Sequence, residues 1–369
     1  MIKRLLYLNG LAILGVLLYH ASGWGFVALF WWTDRYQAVS APNFGQMGSA
    51  EYFLLRFIEQ LATAAVPAFL FVSGFFVAFA TGRDQRTIGW NVIGSRIKNL
   101  LIPYALWSLL FFAVEAVLGD TYSLAVYLRR LLLGQATESF YYVPLLVQFY
   151  LLSPLLAPIA RRRWKALLAV SAAVQFGLHL LRYLQYLGPD SLEIDRMLGA
   201  ATSRFFPGHL LYFSLGLVIG FHLPAAKHLL ERCRWALLVA TPALLVLGMA
   251  EWELLLRQSG QDWLAPAVTV VDDLYSLAFV LTVLAFERTT LPLTKPMGDL
   301  GTKSYGIYLS NALVLMLAAK AIYRLAPGLL DQAVLFVALL VALGLAAPLA
   351  MMALINRSPA RRYYKIIFG

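Results

Sequence analysis

Two side chains in the first apolar stretch, Leu5–Phe30, do not belong in lipid without a reason: Asn9 and His20. They lie eleven residues apart, three helical turns, and so share one face of a helix. At 1.5 Å per residue His20 sits roughly 22 Å beyond Leu5, in the half of a bilayer remote from the N-terminus. A neutral imidazole at that depth can remove a proton from a weak nucleophile, relay protons, or pack as a hydrogen-bonded group inside a bundle. The residue alone leaves these roles open. The segment VPAFLFVSGFF, Val66 to Phe76, sets a helix-distorting Pro67 beside a Ser73-Gly74 pair that permits close helix approach. Arg96 and Lys98 stand directly before the apolar run that starts at Leu100. Two cations there either anchor the topology or, with the free amides of a helix start, receive an anionic phosphate. His179, His209, Glu115, Asp272 and Asp273 are further ionisable groups in or near apolar runs. The two aspartates open a helix, where acids suit the dipole. The single cysteine, Cys233, excludes an internal disulfide and a cysteine-based zinc site, and no metal is expected. No Gly-rich phosphate loop, HExxH helix or GxSxG elbow occurs.

The elements that carry these residues follow from composition. Of 369 residues, 61% are hydrophobic and 13% charged, which excludes a soluble globule, a disordered chain and a coiled coil. The expected fold is all-α, a polytopic transmembrane bundle forming one domain over residues 1–369. Ten spans are expected: Leu5–Phe30, Tyr52–Ala80, Leu100–Leu118, Phe140–Ala160, Ala166–Tyr186, Phe205–Leu223, Trp235–Leu256, Ala267–Phe286, Ser304–Tyr323 and Gln332–Ile355. Basic residues alternate between the connections. One side collects 20 of the 30 lysines and arginines, in clusters such as Arg83, Arg86, Arg96 and Lys98, or Arg161, Arg162, Arg163 and Lys165. The positive-inside rule then places both termini in the cytoplasm, which an even number of spans also requires. The net charge of +11 is on this reading a topology signal and not a nucleic-acid footprint. The first span is read as retained, because it outruns a signal-peptide core and is followed by the aromatic belt residues Trp24, Trp31 and Trp32.

Six phrases in series resemble the acyltransferase 3 family of integral membrane acyltransferases. They are NGLAILGVLLYHA (Asn9 to Ala21), VPAFLFVSGF (Val66 to Phe75), RIKNLLIPYALW (Arg96 to Trp107), FYYVPLLVQFYLLSPLL (Phe140 to Leu156), RFFPGHLLYFSLG (Arg204 to Gly216) and LGTKSYGIYLSN (Leu300 to Asn311). Each is unspecific alone; their order spans most of the chain. The resemblance implies transfer of an acyl group, expected to be acetyl, from cytoplasmic acyl-CoA to a hydroxyl of an extracytoplasmic carbohydrate or lipid-linked saccharide. It implies a multi-pass protein of the bacterial inner membrane. His20 falls on the family's first-helix histidine, Ser73 on its SGF serine, and Arg96 and Lys98 on its basic third-helix start. The expected catalytic set is therefore His20, Asn9 and Ser73, with Arg96, Lys98 and Lys303 on the coenzyme A phosphates. Tyr142, Asp272 and Asn311 complete the set as contacts to the acceptor. Three positions depart from the family pattern: Asn9 and Asn99 stand where it has arginine, and Asn311 where it often has histidine.

A hydroxyl is a weak nucleophile at neutral pH, so such a transfer needs a base within reach and donors for the thioester oxyanion. Asn9, Ser73 and Asn311 are candidate donors. Two rivals stand beside this reading. One is a transporter or flippase using the same polar residues as a path. The other is a member that binds acyl donor or glycan without turnover.

Overall fold

The computed structural model describes residues 1–82, 85–188, 194, 198, 204–264 and 269–369. Among them it is helical, with no strand. The helices are α1 (Ile2–Phe26), α2 (Ala50–Ala62), α3 (Ala65–Thr81), α4 (Trp90–Val117), α5 (Leu124–Leu132), α6 (Tyr142–Arg162), α7 (Trp164–Leu187), α8 (Leu210–Phe221), α9 (Leu223–Ser259), α10 (Val270–Ala285), α11 (Thr294–Leu325), α12 (Ala333–Arg357) and α13 (Tyr364–Phe368). Nine of the ten expected spans each overlap mainly one of these helices, and the second overlaps two, α2 and α3. Among the described residues, 8 helices are long and apolar enough to cross a membrane, counting α2 and α3 together. The helices at the sixth and eighth expected spans, α8 with its preceding turn and α10, are shorter. Large apolar side chains such as Leu109, Val117, Leu155, Val239 and Leu325 point outward, as a lipid-facing surface requires.

Two close crossings organise the bundle. α1 runs along α11, and α3 along α8. Gly74 and Gly216 face each other's helices so closely that a Cβ at Gly216 would overlap the Phe71 carbonyl oxygen, and one at Gly74 the Phe213 carbonyl. The pair lets backbones approach as small residues do in membranes. Arg4, at the start of α1, donates to the carbonyls of Phe286 (2.5 Å), Glu287 (3.0 Å) and Thr289 (2.6 Å), so it satisfies acceptors left free where α10 ends.

The structure changes two expectations. The second span, Tyr52–Ala80, is two helices, broken at Thr63 and Ala64. Pro67 has no N–H to bond the Thr63 carbonyl, and the chain turns there. The third span starts earlier than Leu100: α4 begins at Trp90, behind Gly89. Arg96 and Lys98 thus lie inside a helix, and the free amides sit near Trp90, away from both cations. Pro103 is likewise interior. Arg83, a member of the expected basic loop, lies outside the described residues, as does the start of the span expected from Ala267.

Candidate functional site

Two cavities meet inside the bundle. The larger, of about 500 Å³, is walled by α1, α2, α7 and α10 and receives His20, Arg56, Glu59, Gln60, His179, Arg182, Tyr212 and Asp272. The smaller, of about 210 Å³, receives Asn9, Ser73, Arg96, Tyr150, Ser304 and Tyr305. Tyr142 and Tyr308 line both, with ring centroids 5.8 Å apart and planes at 72°. Tyr308 is fixed by donating to the Ser139 carbonyl (2.5 Å) and by the stacked ring of Tyr305. Tyr142 and Ser73 line the smaller cavity together.

In the larger cavity the His20 ring is half-buried, lies edge-on to Tyr19 at 5.7 Å and makes no hydrogen bond to the described residues. Opposite it, α2 presents Arg56 and Glu59, a buried ion pair one turn apart, and the Arg56 guanidinium lies 3.6 Å from the centroid of Trp252. A planar cation over an indole gains from the ring quadrupole while its charge is met by the carboxylate. Gln60 donates to Asp272 (2.5 Å), and Asp272 closes a capping box with Thr269 at the start of α10. The neighbouring Asp273 is fully buried and accepts from His179 (2.8 Å), Gln175 (2.8 Å) and Tyr212.

In the smaller cavity Arg96 donates to the Phe76 carbonyl (3.0 Å) and stands 5.6 Å from the Tyr150 ring centroid. One of its five N–H groups is thereby used, which leaves a fork able to meet a phosphate. The Asn9 side-chain oxygen is buried without a partner among the described residues.

The structure divides the expected catalytic set: His20 faces the larger cavity, Asn9 and Ser73 the smaller. Of the expected donor contacts, only Arg96 lines a cavity. Lys98 and Lys303 are exposed and line neither. Of the expected acceptor contacts, Tyr142 and Asp272 line the larger cavity. Asn311 is fully buried outside both, with neither side-chain amide atom bonded among the described residues. Sequence reasoning missed Arg56, Glu59, Gln60 and Arg182. The first three recur at i, i+3 and i+4 inside an apolar run, which is the signal that would have found them. Among the described residues no cluster of three or more His, Cys, Asp and Glu could hold a metal.

Apolar helices enclosing a polar intramembrane site define a multi-pass integral membrane protein. The chain belongs to the acyltransferase 3 family, whose acyltransferase-domain model matches residues 3–352. It is 25% identical over 191 residues to a probable poly-beta-1,6-N-acetyl-D-glucosamine export protein of Staphylococcus aureus strain MRSA252. That match covers 50% of this chain and 51% of the relative. The counterpart in strain MSSA476 is 24% identical over the same length and shares. The chain spans about half the length of the curated relatives it matches. No solved structure matches it.

Proposed function

We propose that the protein is an O-acyltransferase that moves an acyl group, acetyl in the first instance, from cytoplasmic acyl-CoA to a hydroxyl of an extracytoplasmic carbohydrate. The observation that carries this reading is the meeting of two cavities at Tyr142 and Tyr308, one holding Arg96 and the other His20. On this reading the bundle crosses the bilayer ten times, with α8 and α10 as the short crossings and the Arg96 end in the cytoplasm. Coenzyme A docks with its phosphates at Arg96, and its thioester reaches the tyrosine pair. An acceptor hydroxyl in the larger cavity attacks the thioester carbonyl carbon while its proton passes to His20. The carbon–sulfur bond breaks and the thiolate leaves with a proton. Tyr142 and Ser73 stand where donors to the developing oxyanion are needed, a role in which each donor supplies several kcal/mol.

The test is purified protein in nanodiscs, acetyl-labelled coenzyme A, and a β-1,6-linked N-acetylglucosamine oligosaccharide, chosen from the relatives' names. Formation of a labelled ester together with free thiol supports the reading; an intact thioester beside every acceptor tried overturns it. Those same names give a second reading, saccharide export through the larger cavity. Uptake of the oligosaccharide into proteoliposomes without thioester consumption would establish that alternative.

A further inference from the structure

The larger cavity holds a second imidazole whose geometry is more constrained than that of His20. His179 is 3% exposed, and its Nε2 lies 2.8 Å from Asp273 Oδ2. Asp273 also accepts from Gln175 Nε2 at 2.8 Å and from the Tyr212 hydroxyl. The Gln175 amide is oriented independently, because its oxygen accepts the Leu211 N–H at 3.1 Å. Gln175 is thereby fixed as a donor, and the cluster is satisfied when the Tyr212 hydroxyl and His179 Nε2 donate to the same carboxylate. A neutral imidazole has one N–H, and this arrangement places it on Nε2. The lone pair is then left on Nδ1, a buried atom of a side chain that lines the cavity, with no hydrogen-bond partner among the described residues. A buried acceptor left unmade carries its full desolvation cost, so it marks a place where a ligand donor belongs.

We infer that His179 Nδ1 is a hydroxyl-recognition point of the acceptor site: it accepts a hydrogen bond from a sugar hydroxyl other than the one that attacks. Asp273 is the positioning residue that fixes the ring's tautomer, held in turn by Gln175 and Tyr212. The inference rests on reading this cavity as the acceptor site. Of the three histidines lining that site it gives two different tasks, His20 for the reacting hydroxyl and His179 for orienting the ring that carries it. Polyols and saccharides, which present several donors on one rigid ring, are the chemical class that satisfies both.

Nitrogen-15 NMR of histidine-labelled protein in detergent reads the tautomer directly, with the His179 signal assigned by its loss in His179→Gln. The expected result is an Nε2–H, Nδ1-unprotonated ring whose Nδ1 resonance shifts when the β-1,6-linked N-acetylglucosamine oligosaccharide is added. An Nδ1–H tautomer, or an Nδ1 resonance unmoved at saturating oligosaccharide, overturns the assignment. His179→Gln keeps a donor toward Asp273 but takes the acceptor away from the Nδ1 position, its amide oxygen lying beside the donor at the end of the side chain. In the transfer assay it should raise the acceptor KM by about ten-fold, the worth of one hydrogen bond. An unchanged acceptor KM in an enzyme that transfers normally refutes the subsite and leaves the acyltransferase reading standing. A shifted resonance in a protein that never transfers an acyl group refutes the acyltransferase reading and leaves the subsite standing.

Discussion

Replacing His20 by Gln should remove most acyl transfer while leaving the bundle intact. The His20 ring gives up no hydrogen bond on substitution, and its aromatic contact is one edge-on ring. The loss of stability is therefore expected to stay below about 1 kcal/mol, in the range of substitutions that break no network. The loss of rate is set by a different quantity. A positioned general base contributes roughly 10² to 10⁴, equivalent to about 2.7–5.4 kcal/mol of barrier at 1.36 kcal/mol per decade. Glutamine retains polar atoms but cannot take and release the hydroxyl proton at neutral pH. The assay compares ester formation at saturating acetyl-CoA for wild type, His20→Gln and His222→Gln, with thermal unfolding in the same detergent as the folding control. His222, whose Nε2 lies 3.1 Å from the Ala160 carbonyl and which lines neither cavity, should be dispensable for turnover. Wild-type turnover in a folded His20→Gln variant would refute the base assignment.

Arg96→Gln should weaken acetyl-CoA binding at least several-fold by calorimetry, whereas Lys98→Gln, exposed and outside both cavities, should change it less than about two-fold; equal effects would place the donor phosphates on the surface. In a Cys233→Ser background, a membrane-impermeant thiol reagent should label Ser40→Cys from the outside of intact cells and Gln85→Cys only after lysis; labelling of both from one side would remove the ten-crossing arrangement. Arg56→Met should cost about 3–5 kcal/mol in detergent unfolding, because Glu59 is left as a buried unpaired charge, and Arg56→Met with Glu59→Leu should regain much of it. A double variant no more stable than the single one would show that the pair does not act as a unit.

What the sequence made legible was whatever depends on neighbours along the chain. Apolar length located every helix that crosses the core, and the Ser73-Gly74 pair announced the α3 crossing on α8. The start of α4 was not legible at Leu100, because Trp90–Asn99 is polar enough to read as loop and becomes helix by continuing the turn that follows it. The alliance of His179 with Asp273, 94 residues away, could not be read from spacing, since only the packing of α7 beside α10 creates it. His20 was legible because one histidine on an apolar face is conspicuous. Asn311 was chosen by resemblance, and the twist of α11 turns it away from both cavities.

A bilayer works as an electrical insulator, and a protein that hollows it from both faces thins the insulation. On the proposed function the two cavities would open to opposite faces, and what would separate them is the paired rings of Tyr142 and Tyr308 that line both. A membrane potential would drop most steeply across that short septum, at about 2.3 kcal/mol per elementary charge per 100 mV. Neutral groups feel none of this. An acetyl group handed across as part of a neutral thioester or ester would pass at no electrical cost, whereas the polyanionic coenzyme would be stopped by its charge as well as its bulk. On the proposed function, chemistry at such a septum would export a substituent while the cell keeps both its ion gradient and its cofactor.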